Sequence, residues 1–336
     1  MRRRDLATAF HARAPVRLDL AGGWTDVPPF SAREGGVVVN AAIALSVHVE
    51  LLLGGPCIKL AALDVGEEFE CASASGLVRD GRLSLHKAAL RMFPVQSPCT
   101  LTTRSDAPPG SGLGSSGALD VALVAALTLA RGESLSGREI AEQAWYLETV
   151  EAEIPGGKQD QFAAALGGVH RLSFRDPDVG TEPITLDGAF ALALERGLVL
   201  CYTGTSRLSG ATIARVLRAY EDGDARVTAA LHGLKESAER MTEALRAADL
   251  GRVGEMLTEN WQHQQALDSD MRTPEMARLE HAMRAAGALG GKAAGSGAGG
   301  CMFFLTRDRD GGVAAARAVG AIVLPVTWAR EGVQAW

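Results

Sequence analysis

The stretch of residues 108 to 118 reads Pro-Pro-Gly-Ser-Gly-Leu-Gly-Ser-Ser-Gly-Ala, a glycine-rich loop that runs directly into an apolar segment. Gly110, Gly112 and Gly114 lack the side chains that would keep an anion away from the main chain. The first turn of a following helix supplies unpaired N–H groups and the positive end of the helix dipole. The two serines add hydroxyls that bind phosphate or Mg²⁺. The stretch therefore predicts a phosphate-binding turn at the start of a helix.

Two better-known phosphate loops do not fit this stretch. A P-loop requires a lysine before its serine or threonine, and no lysine lies between Gly110 and Ser116. The dinucleotide fingerprint requires a third glycine three residues after the second and an acidic residue at a strand end. Here the third glycine comes two residues on, and Glu133 lies in a polar turn. A Gly/Ser linker would have polar flanks, whereas Leu119 and Val121 begin an apolar helix expected at about 118–131.

Length and composition indicate a folded protein of two lobes. At 336 residues the chain exceeds the size of a single domain, for which about 150 residues is typical. Turn residues are frequent between 175 and 195, which places a boundary there and predicts domains 1–180 and 181–336. A net charge of −6 and a pI of about 5.7 argue against binding nucleic acid through a basic surface.

Targeting and redox signals are weak in this chain. No apolar run suited to a signal peptide follows Met1-Arg2-Arg3-Arg4, and the longest apolar helix, near 118–130, is too short to span a bilayer. A cytoplasmic protein that does not engage the membrane is therefore expected. The five cysteines are widely spaced, which predicts buried free thiols instead of disulfides or a thiolate zinc site.

Periodicity predicts both strands and helices in each half. Val16, Leu18 and Leu20 alternate as in a half-buried strand, so Arg17 and Asp19 are expected on its other face, lining a cleft. Further strands are predicted at 47–53, 198–202 and 301–305, and helices at 137–153 and from an N-cap at residue 273. Apolar residues from 227 to 245 recur at steps of four and three, which indicates a core helix and not a coiled coil. These elements predict an α+β or α/β protein.

The Pro-x-x-x-Gly-Leu-Gly-Ser-Ser pattern at Pro108 to Gly117 resembles the second motif of the GHMP kinases, which include galactokinase, homoserine kinase and mevalonate kinase. A second glycine cluster, Gly290 to Gly300, resembles the third family motif, which folds against the phosphate loop. The resemblance spans roughly residues 12 to 305. It implies a two-domain α+β GHMP kinase fold, with 1–180 as the N-terminal and 181–336 as the C-terminal domain and the active site in the cleft between lobes.

The resemblance also implies the residues that bind ATP, Mg²⁺ and the reacting groups. The ATP-binding loop would consist of Pro109, Gly110, Ser111, Gly112, Leu113, Gly114, Ser115 and Ser116. Ser116 and Glu148 would ligate Mg²⁺, since a helical Glu twelve residues ahead of a catalytic Asp is typical of galactokinase-like members; a solvated helix residue is the alternative for Glu148. Asp160 would be the catalytic carboxylate, and Arg17 of the first motif would pair with it and keep it ionised. A purely structural salt bridge is the alternative for that pair.

The implied activity is that of an ATP-dependent sugar kinase acting on a sugar hydroxyl, the anomeric one. Segments at 156–161, 202–207 and 287–292 resemble D-glycero-D-manno-heptose 7-phosphate kinases, whereas 22–29 resembles the kinase domain of L-fucokinase. The residues expected to contact the substrate are Gly23, Trp24, Thr25, Asp26, Lys158, Gln161, Arg207 and Gly297. Trp24 would stack on the sugar or belong to the core, and Arg207 and Lys158 are candidates to bind a substrate phosphate.

Several alternatives stay open at this point. L-fucokinase or another hexose 1-kinase is the alternative activity, and a non-catalytic sugar-binding regulator on the same fold is the alternative of another class. A decarboxylase acting on a phosphorylated acid is a further candidate within the fold. The expected partner is a small-molecule sugar or sugar phosphate, without nucleic acid or membrane, and a homodimer is one option that the sequence leaves open.

Overall fold

A computed structural model describes residues 8–95, 98–206 and 210–336. In chain order the strands are β1 (Ala9–Ala21), β2 (Gly36–Leu53), β3 (Ile58–Ala62), β4 (Glu67–Cys71), β5 (Cys99–Ser105), β6 (Val169–Arg175), β7 (Asp178–Pro183), β8 (Leu198–Ser206), β9 (Ala288–Ala293), β10 (Gly299–Thr306), β11 (Ile322–Leu324) and β12 (Gln334–Ala335). The helices are α1 (Phe30–Glu34), α2 (Ser84–Met92), α3 (Ser115–Ala130), α4 (Gly137–Tyr146), α5 (Gln159–Leu166), α6 (Gly188–Gly197), α7 (Gly210–Glu221), α8 (Ala225–Arg246), α9 (Leu250–Leu267), α10 (Pro274–Ala285) and α11 (Arg309–Ala318). This mixture of helices and sheets confirms the predicted α+β class.

The first sheet has the strand order β12-β1-β2-β5-β3-β4, and the β6–β7 hairpin joins it through β2. The 18-residue strand β2 makes this branching possible, because its first part pairs with β6 and its last part with β5. The apolar helix α3 packs on β1 and β2. The glycine-rich loop at the start of α3 therefore lies next to the strand that carries Arg17.

The second sheet has the order β11-β8-β10-β9, and all of β10 and residues 198–201 of β8 are buried. Leu198 and Leu200 of β8 belong to the core beneath the first sheet, whereas Val199 and Cys201 belong to a second core. Such continuous apolar runs are typical of strands covered on both sides. The chain passes from the first sheet to the second between β7 and β8. The division of the chain into domains 1–180 and 181–336 stays a prediction.

Helix α8 confirms the core role predicted for the apolar stripe from 227 to 245. Val227, Leu231 and Leu234 lie in the second core, whereas Met241 and Leu245 lie in the first. Because the helix is 22 residues long and carries the stripe from 227 to 245 along one face, it reaches both cores. The helix predicted from residue 273 is also present, with Thr273 as its N-cap and Pro274 in its first turn.

Three details of the sequence analysis were wrong. Strand β1 is not half-buried, because Arg17 and Asp19 are 4% and 1% exposed; Arg17 lines a cleft as expected, whereas Asp19 does not. The helix predicted at 137–153 ends at Tyr146 and continues as a π-helical turn over Leu147–Glu151. All five cysteines are free, but Cys57 and Cys71 are only partly buried, since they flank a strand pair at the edge of the first sheet.

No helix within 8–95, 98–206 and 210–336 combines the length and apolar character needed to cross a membrane.

Candidate active site

The glycine-rich loop adopts backbone conformations that favour glycine. Gly110, Gly112 and Gly114 have φ values of 65°, 76° and 78°, in the left-handed region that side chains disfavour. At Gly114 a Cβ atom would lie 3.1 Å from Cγ of Asp160 and 3.2 Å from Cζ of Arg17. A glycine at this position therefore leaves room for both charged groups beside the start of α3.

The second glycine cluster packs directly against this loop, as its resemblance to the third family motif implies. The Cys301 N–H donates to the Ser111 carbonyl at 2.8 Å. A Cβ atom on Gly112 would lie 2.6 Å from the Ala294 carbonyl oxygen, and one on Gly295 would lie 2.5 Å from the Gly112 carbonyl oxygen. The two glycine clusters thus approach closely because neither carries a side chain at the contact.

The predicted pairing of Arg17 with Asp160 is present in the structure. Nε and Nη2 of Arg17 lie 2.9 and 2.7 Å from Oδ1 of Asp160, in the first turn of α5. Nη1 donates to the Gly112 carbonyl at 2.6 Å, and the Arg17 main-chain N–H donates to the Leu113 carbonyl at 2.9 Å. Strand β1 is therefore bound to the phosphate loop by both its main chain and its arginine.

Glu148 is buried, which excludes the solvated helix residue considered from the sequence. It lies in the π-helical turn and accepts a hydrogen bond from Nε2 of Gln161 at 2.6 Å. Burial raises the pKa of Glu148 to about 7, and the negative charge of Asp160 adds to this, although hydrogen bonds from Ser116 and Gln161 oppose it. A cation beside Glu148 would stabilise the ionised carboxylate and so offset both the effect of burial and the repulsion from Asp160.

Ser116 and Glu148 are suited to bind a magnesium ion, because a hydroxyl and a buried carboxylate in contact are hard oxygen donors. Within the described part of the chain, no three His, Cys, Asp or Glu residues group closely enough to hold a metal by themselves. Mg²⁺ in kinase sites is commonly held by one or two protein groups together with substrate phosphates and water. Two protein ligands are therefore compatible with a metal that arrives with a nucleotide.

Asp26 is a second buried carboxylate of the site. Its Oδ1 and Oδ2 accept hydrogen bonds from the side-chain amide and main-chain N–H of Gln159 at 3.1 and 3.2 Å. Burial raises the pKa of Asp26 to about 7, with a further contribution from the Asp160 charge, while the Gln159 main-chain bond opposes the shift. A Cβ atom on Gly157 would lie 1.9 Å from Asp26 Oδ2, so glycine is required there.

These groups line one cavity of about 430 Å³, a size typical of small-molecule sites. The residues selected from the sequence that line it are Arg17, Trp24, Asp26, Gly110, Ser111, Gly112, Gly114, Ser115, Ser116, Glu148, Asp160, Gln161 and Gly297. Trp24 lines the cavity and also belongs to the second core, and its stacking on a sugar stays a prediction.

Several selected residues lie behind the cavity wall instead. Leu113 is fully buried, Thr25 bonds to main-chain groups of Gly22 and Val37, and Gly23 packs against Asp19. Pro109 is exposed and does not line the cavity, and its carbonyl accepts from the Tyr202 hydroxyl at 3.4 Å. These residues support the loops that carry the lining residues.

Lys158 does not line this cavity in the structure. Its Nζ lies 3.0 Å from Asp176 Oδ1, donates to the Pro177 carbonyl and sits 4.4 Å from the centre of the Trp145 ring. Its charge is thus balanced by a carboxylate in the turn between β6 and β7, beside a small pocket that Asp26 also lines. Gln161 reaches the cavity, but its amide supports Glu148. Arg207 lies outside the described residues.

Sequence reasoning missed three buried polar residues near the site. Gln159 binds Asp26, and Lys292 on β9 pairs with Asp19. Asp120, within α3, is fully buried, and neither of its carboxylate oxygens has a hydrogen-bond partner in the described part of the protein. Burial and the Glu148 charge raise the pKa of Asp120 well above its usual value. The sequence signal for Asp120 is that it is the one acidic residue in the apolar run of α3.

Comparison with known proteins agrees with this geometry. The GHMP kinases N terminal domain matches residues 83–168, and the GHMP kinases C terminal domain matches residues 241–324. A Campylobacter jejuni protein, D-glycero-alpha-D-manno-heptose 7-phosphate kinase, is 31% identical over 96% of this chain and 98% of its own length. L-fucokinase/L-fucose-1-P guanylyltransferase of Bacteroides fragilis is 28% identical over 90% of this chain, which spans 35% of that protein.

A solved structure shares the whole fold. The D-glycero-D-manno-heptose 1-phosphate kinase from Bacteroides thetaiotaomicron superposes with a TM-score of 0.78 at 27% identity, covering 97% of this chain and 98% of that one. The fold and the site thus define a phosphotransferase with an alcohol group as acceptor. The chain belongs to the GHMP kinase family. ATP is the phosphate donor that membership implies.

Proposed function

We propose that the protein transfers the γ-phosphate of ATP to the anomeric hydroxyl of D-glycero-D-manno-heptose 7-phosphate. The observation that carries the chemistry is the Arg17–Asp160 pair beside the glycine-rich loop, in one cavity. A regulator that only binds sugar has no need of this pair or of a buried Glu148. The arrangement therefore favours catalysis over a sensor role.

Asp160 would orient and finally deprotonate the acceptor hydroxyl. Both Arg17 bonds go to Oδ1, whereas Oδ2 faces Gly114, with 3.1 Å between this oxygen and the Cβ position. Oδ2 is thus the oxygen that points toward the loop expected to hold the phosphates, where an acceptor must approach in line. Because phosphoryl transfer passes through a loose transition state, the proton can leave late, and a carboxylate paired with arginine is a sufficient base.

The loop and the start of α3 would hold the phosphates. Main-chain N–H groups at a helix N-terminus offer donors and a positive potential that pay no reorganisation cost during reaction. Ser116 and Glu148 would bind Mg²⁺, which, when bound, neutralises charge on the phosphates. Gln161 holds the Glu148 carboxylate in place through its side-chain amide.

Asp26 would bind the sugar. A carboxylate accepts from two adjacent hydroxyls at once, and Gln159 fixes its orientation. The heptose assignment is supported by the Campylobacter relative, whose name specifies a heptose 7-phosphate and which aligns along nearly the entire chain. The segments at 156–161 and 287–292 support the same branch.

L-fucose is the second candidate, and the charges of the cavity favour it. The charged residues among the described cavity lining are Arg17, Asp26, Glu148 and Asp160, one cation against three carboxylates. A phosphorylated sugar requires further positive charge, whereas a neutral sugar does not. The Gly-Gly-Trp-Thr-Asp-Val-Pro-Pro stretch at 22–29 supports the same alternative.

An ADP-release assay over five acceptors tests these assignments: D-glycero-D-manno-heptose with and without a 7-phosphate, L-fucose, galactose and mannose. We expect the highest kcat/KM for the heptose 7-phosphate, and a product phosphorus resonance coupled to the anomeric proton. Preference for L-fucose would replace the heptose assignment by its alternative. Saturable sugar binding without ADP release from any acceptor would instead support the regulator.

A further inference from the structure

A buried ion pair connects the two sheets behind the cavity. Nζ of Lys292 on β9 lies 2.8 Å from Oδ2 of Asp19 on β1 and donates to the Asp19 carbonyl oxygen at 2.7 Å. The two residues are 0% and 1% exposed. Gly23 makes the approach possible, since a Cβ atom there would lie 2.1 Å from Asp19 Oδ2. A bulge in β1 between Asp19 and Ala21 lies at the same point.

The same two strands meet again at Gly112 of the phosphate loop. Arg17, two residues before Asp19 and on the same face of β1, donates to the Gly112 carbonyl at 2.6 Å. On the other side, Ala294 and Gly295 follow Lys292 and contact Gly112 closely. Gly112 is therefore held between β1 and the segment that leaves β9.

The contacts form a closed ring, which we name the Gly112 ring: Asp19, Arg17, Gly112, Ala294 and Lys292. In such a ring the ion pair fixes the distance between the two strands, and this distance sets the gap that Gly112 occupies. A shift of about 1 Å in a binding group can cost on the order of 10²-fold in rate. Through this ring, the Lys292–Asp19 pair can affect the position of the phosphate loop although it lies outside the cavity.

We propose that Lys292 and Asp19 are positioning residues that hold the phosphate loop in its nucleotide-binding geometry through the Gly112 ring. The inference rests on the family's kinase activity and does not depend on which sugar is the acceptor. A nucleotide-binding measurement tests it separately from the proposed substrate.

The energetics of buried pairs support a geometric role. Desolvation of two charges offsets most of their attraction, so apolar residues commonly stabilise a fold as well or better. Here Oδ1 of Asp19 also lacks a hydrogen-bond partner among the described residues, which adds to the cost. Burial lowers the pKa of Lys292, the nearby Arg17 charge acts in the same direction, and Asp19 opposes both. A pair that gains so little stability is better explained by the position it enforces.

The test uses the full chain with four variants: Lys292→Met, Asp19→Asn, the double variant of both, and Lys87→Met. Lys87 is a control for the loss of a buried lysine, because it is 1% exposed and lies away from the cavity, where it pairs at 2.6 Å with Asp80, whose side chain is 37% exposed. The Tm is measured by calorimetry, and the Kd of ADP with Mg²⁺ by isothermal titration. Acceptor turnover is recorded in parallel.

We expect Lys292→Met to lower the Tm, since it leaves the buried Asp19 carboxylate without its partner. Lys87→Met should change the Tm less, since the Asp80 carboxylate that it leaves is accessible to water. Only Lys292→Met should also weaken ADP binding, by about 10-fold or more. The double variant should recover most of the Tm because no charge is left unpaired, yet keep the weakened ADP binding. Recovery of ADP affinity together with the Tm, or equal affinity loss in Lys87→Met, would overturn the positioning role.

Discussion

Replacement of Asp160 by asparagine removes the proposed base while keeping the shape of the side chain. The amide oxygen can still accept from Arg17, whose bonds go to one oxygen of the native carboxylate. The amide nitrogen would then face Gly114, where it cannot accept a proton from an acceptor hydroxyl. We expect kcat to fall by about 10²–10⁴-fold, which corresponds to about 2.7–5.4 kcal/mol of transition-state stabilisation.

The same variant should change the titration of its neighbours. The negative charge of Asp160 contributes to the raised pKa of both Asp26 and Glu148, so its removal lowers both pKa values. Glu148 then ionises at lower pH, and binding of ADP with Mg²⁺, which requires the ionised form, should persist further into acid than in the wild type. At pH 6 the variant should therefore bind Mg²⁺-ADP more tightly than the wild type, even though turnover is lost.

The assay is ADP release at saturating acceptor, together with isothermal titration of Mg²⁺-ADP at pH 6 and pH 8. Asp176→Asn is the matched control, since Asp176 pairs with Lys158 outside the cavity and should leave kcat within about threefold, as expected of a surface substitution. Turnover of the Asp160→Asn protein at the wild-type rate would refute the assignment of the base. Unchanged ADP affinity at pH 6 would refute the electrostatic coupling.

Three further predictions concern the carboxylates and the loop. Because Asp26 and Glu148 each have a pKa of about 7 and act as carboxylates, kcat/KM should rise with pH through about 7, and a flat profile between pH 6 and 8 would contradict this. A carboxyl group whose pKa is raised in the folded protein stabilises the fold fully below its pKa in the unfolded chain, and this stabilisation is lost as the pH rises through its folded pKa, here about 7. Glu148→Gln should therefore raise the Tm of the nucleotide-free protein at pH 8 and weaken binding of Mg²⁺-ADP. A lower Tm would show that the ionised carboxylate stabilises the fold. Gly114→Ala should cost about 1–2 kcal/mol of stability because its φ is 78°, and it should also lower kcat because the added methyl group contacts Asp160. Gly132→Ala is the control, since its φ is 74° but no atom lies within 4 Å of the added methyl group. Thermal melts and rate assays in parallel should show for it the loss of stability alone.

Much of the fold and site could be predicted because the decisive signals are local. The glycine spacing at 110–114 and the apolar run after it specify a loop and a helix within one stretch of chain. The pairing of Arg17 with Asp160 connects residues far apart in sequence, and only the resemblance to a family could supply it. The structure brings the two together in one cavity with the loop.

The remaining features depend on packing between distant segments, which leaves little trace in a single sequence. Asp19 was expected on an open polar face, but its partner Lys292 comes from a strand 273 positions away. Lys158 was selected for its charge, yet Asp176, in the turn between β6 and β7, binds it. Nothing in the local pattern distinguishes a lysine that faces a cavity from one that pairs with a carboxylate of another segment, since that depends on how the segments pack.

Helix α8 has a consequence for how this protein loses its structure. Its first turns complete one core and its last turns complete the other, so neither core keeps its packing once the helix leaves. Melting should therefore appear as one cooperative calorimetric transition, and a destabilising substitution in either core should lower the temperature at which both are lost.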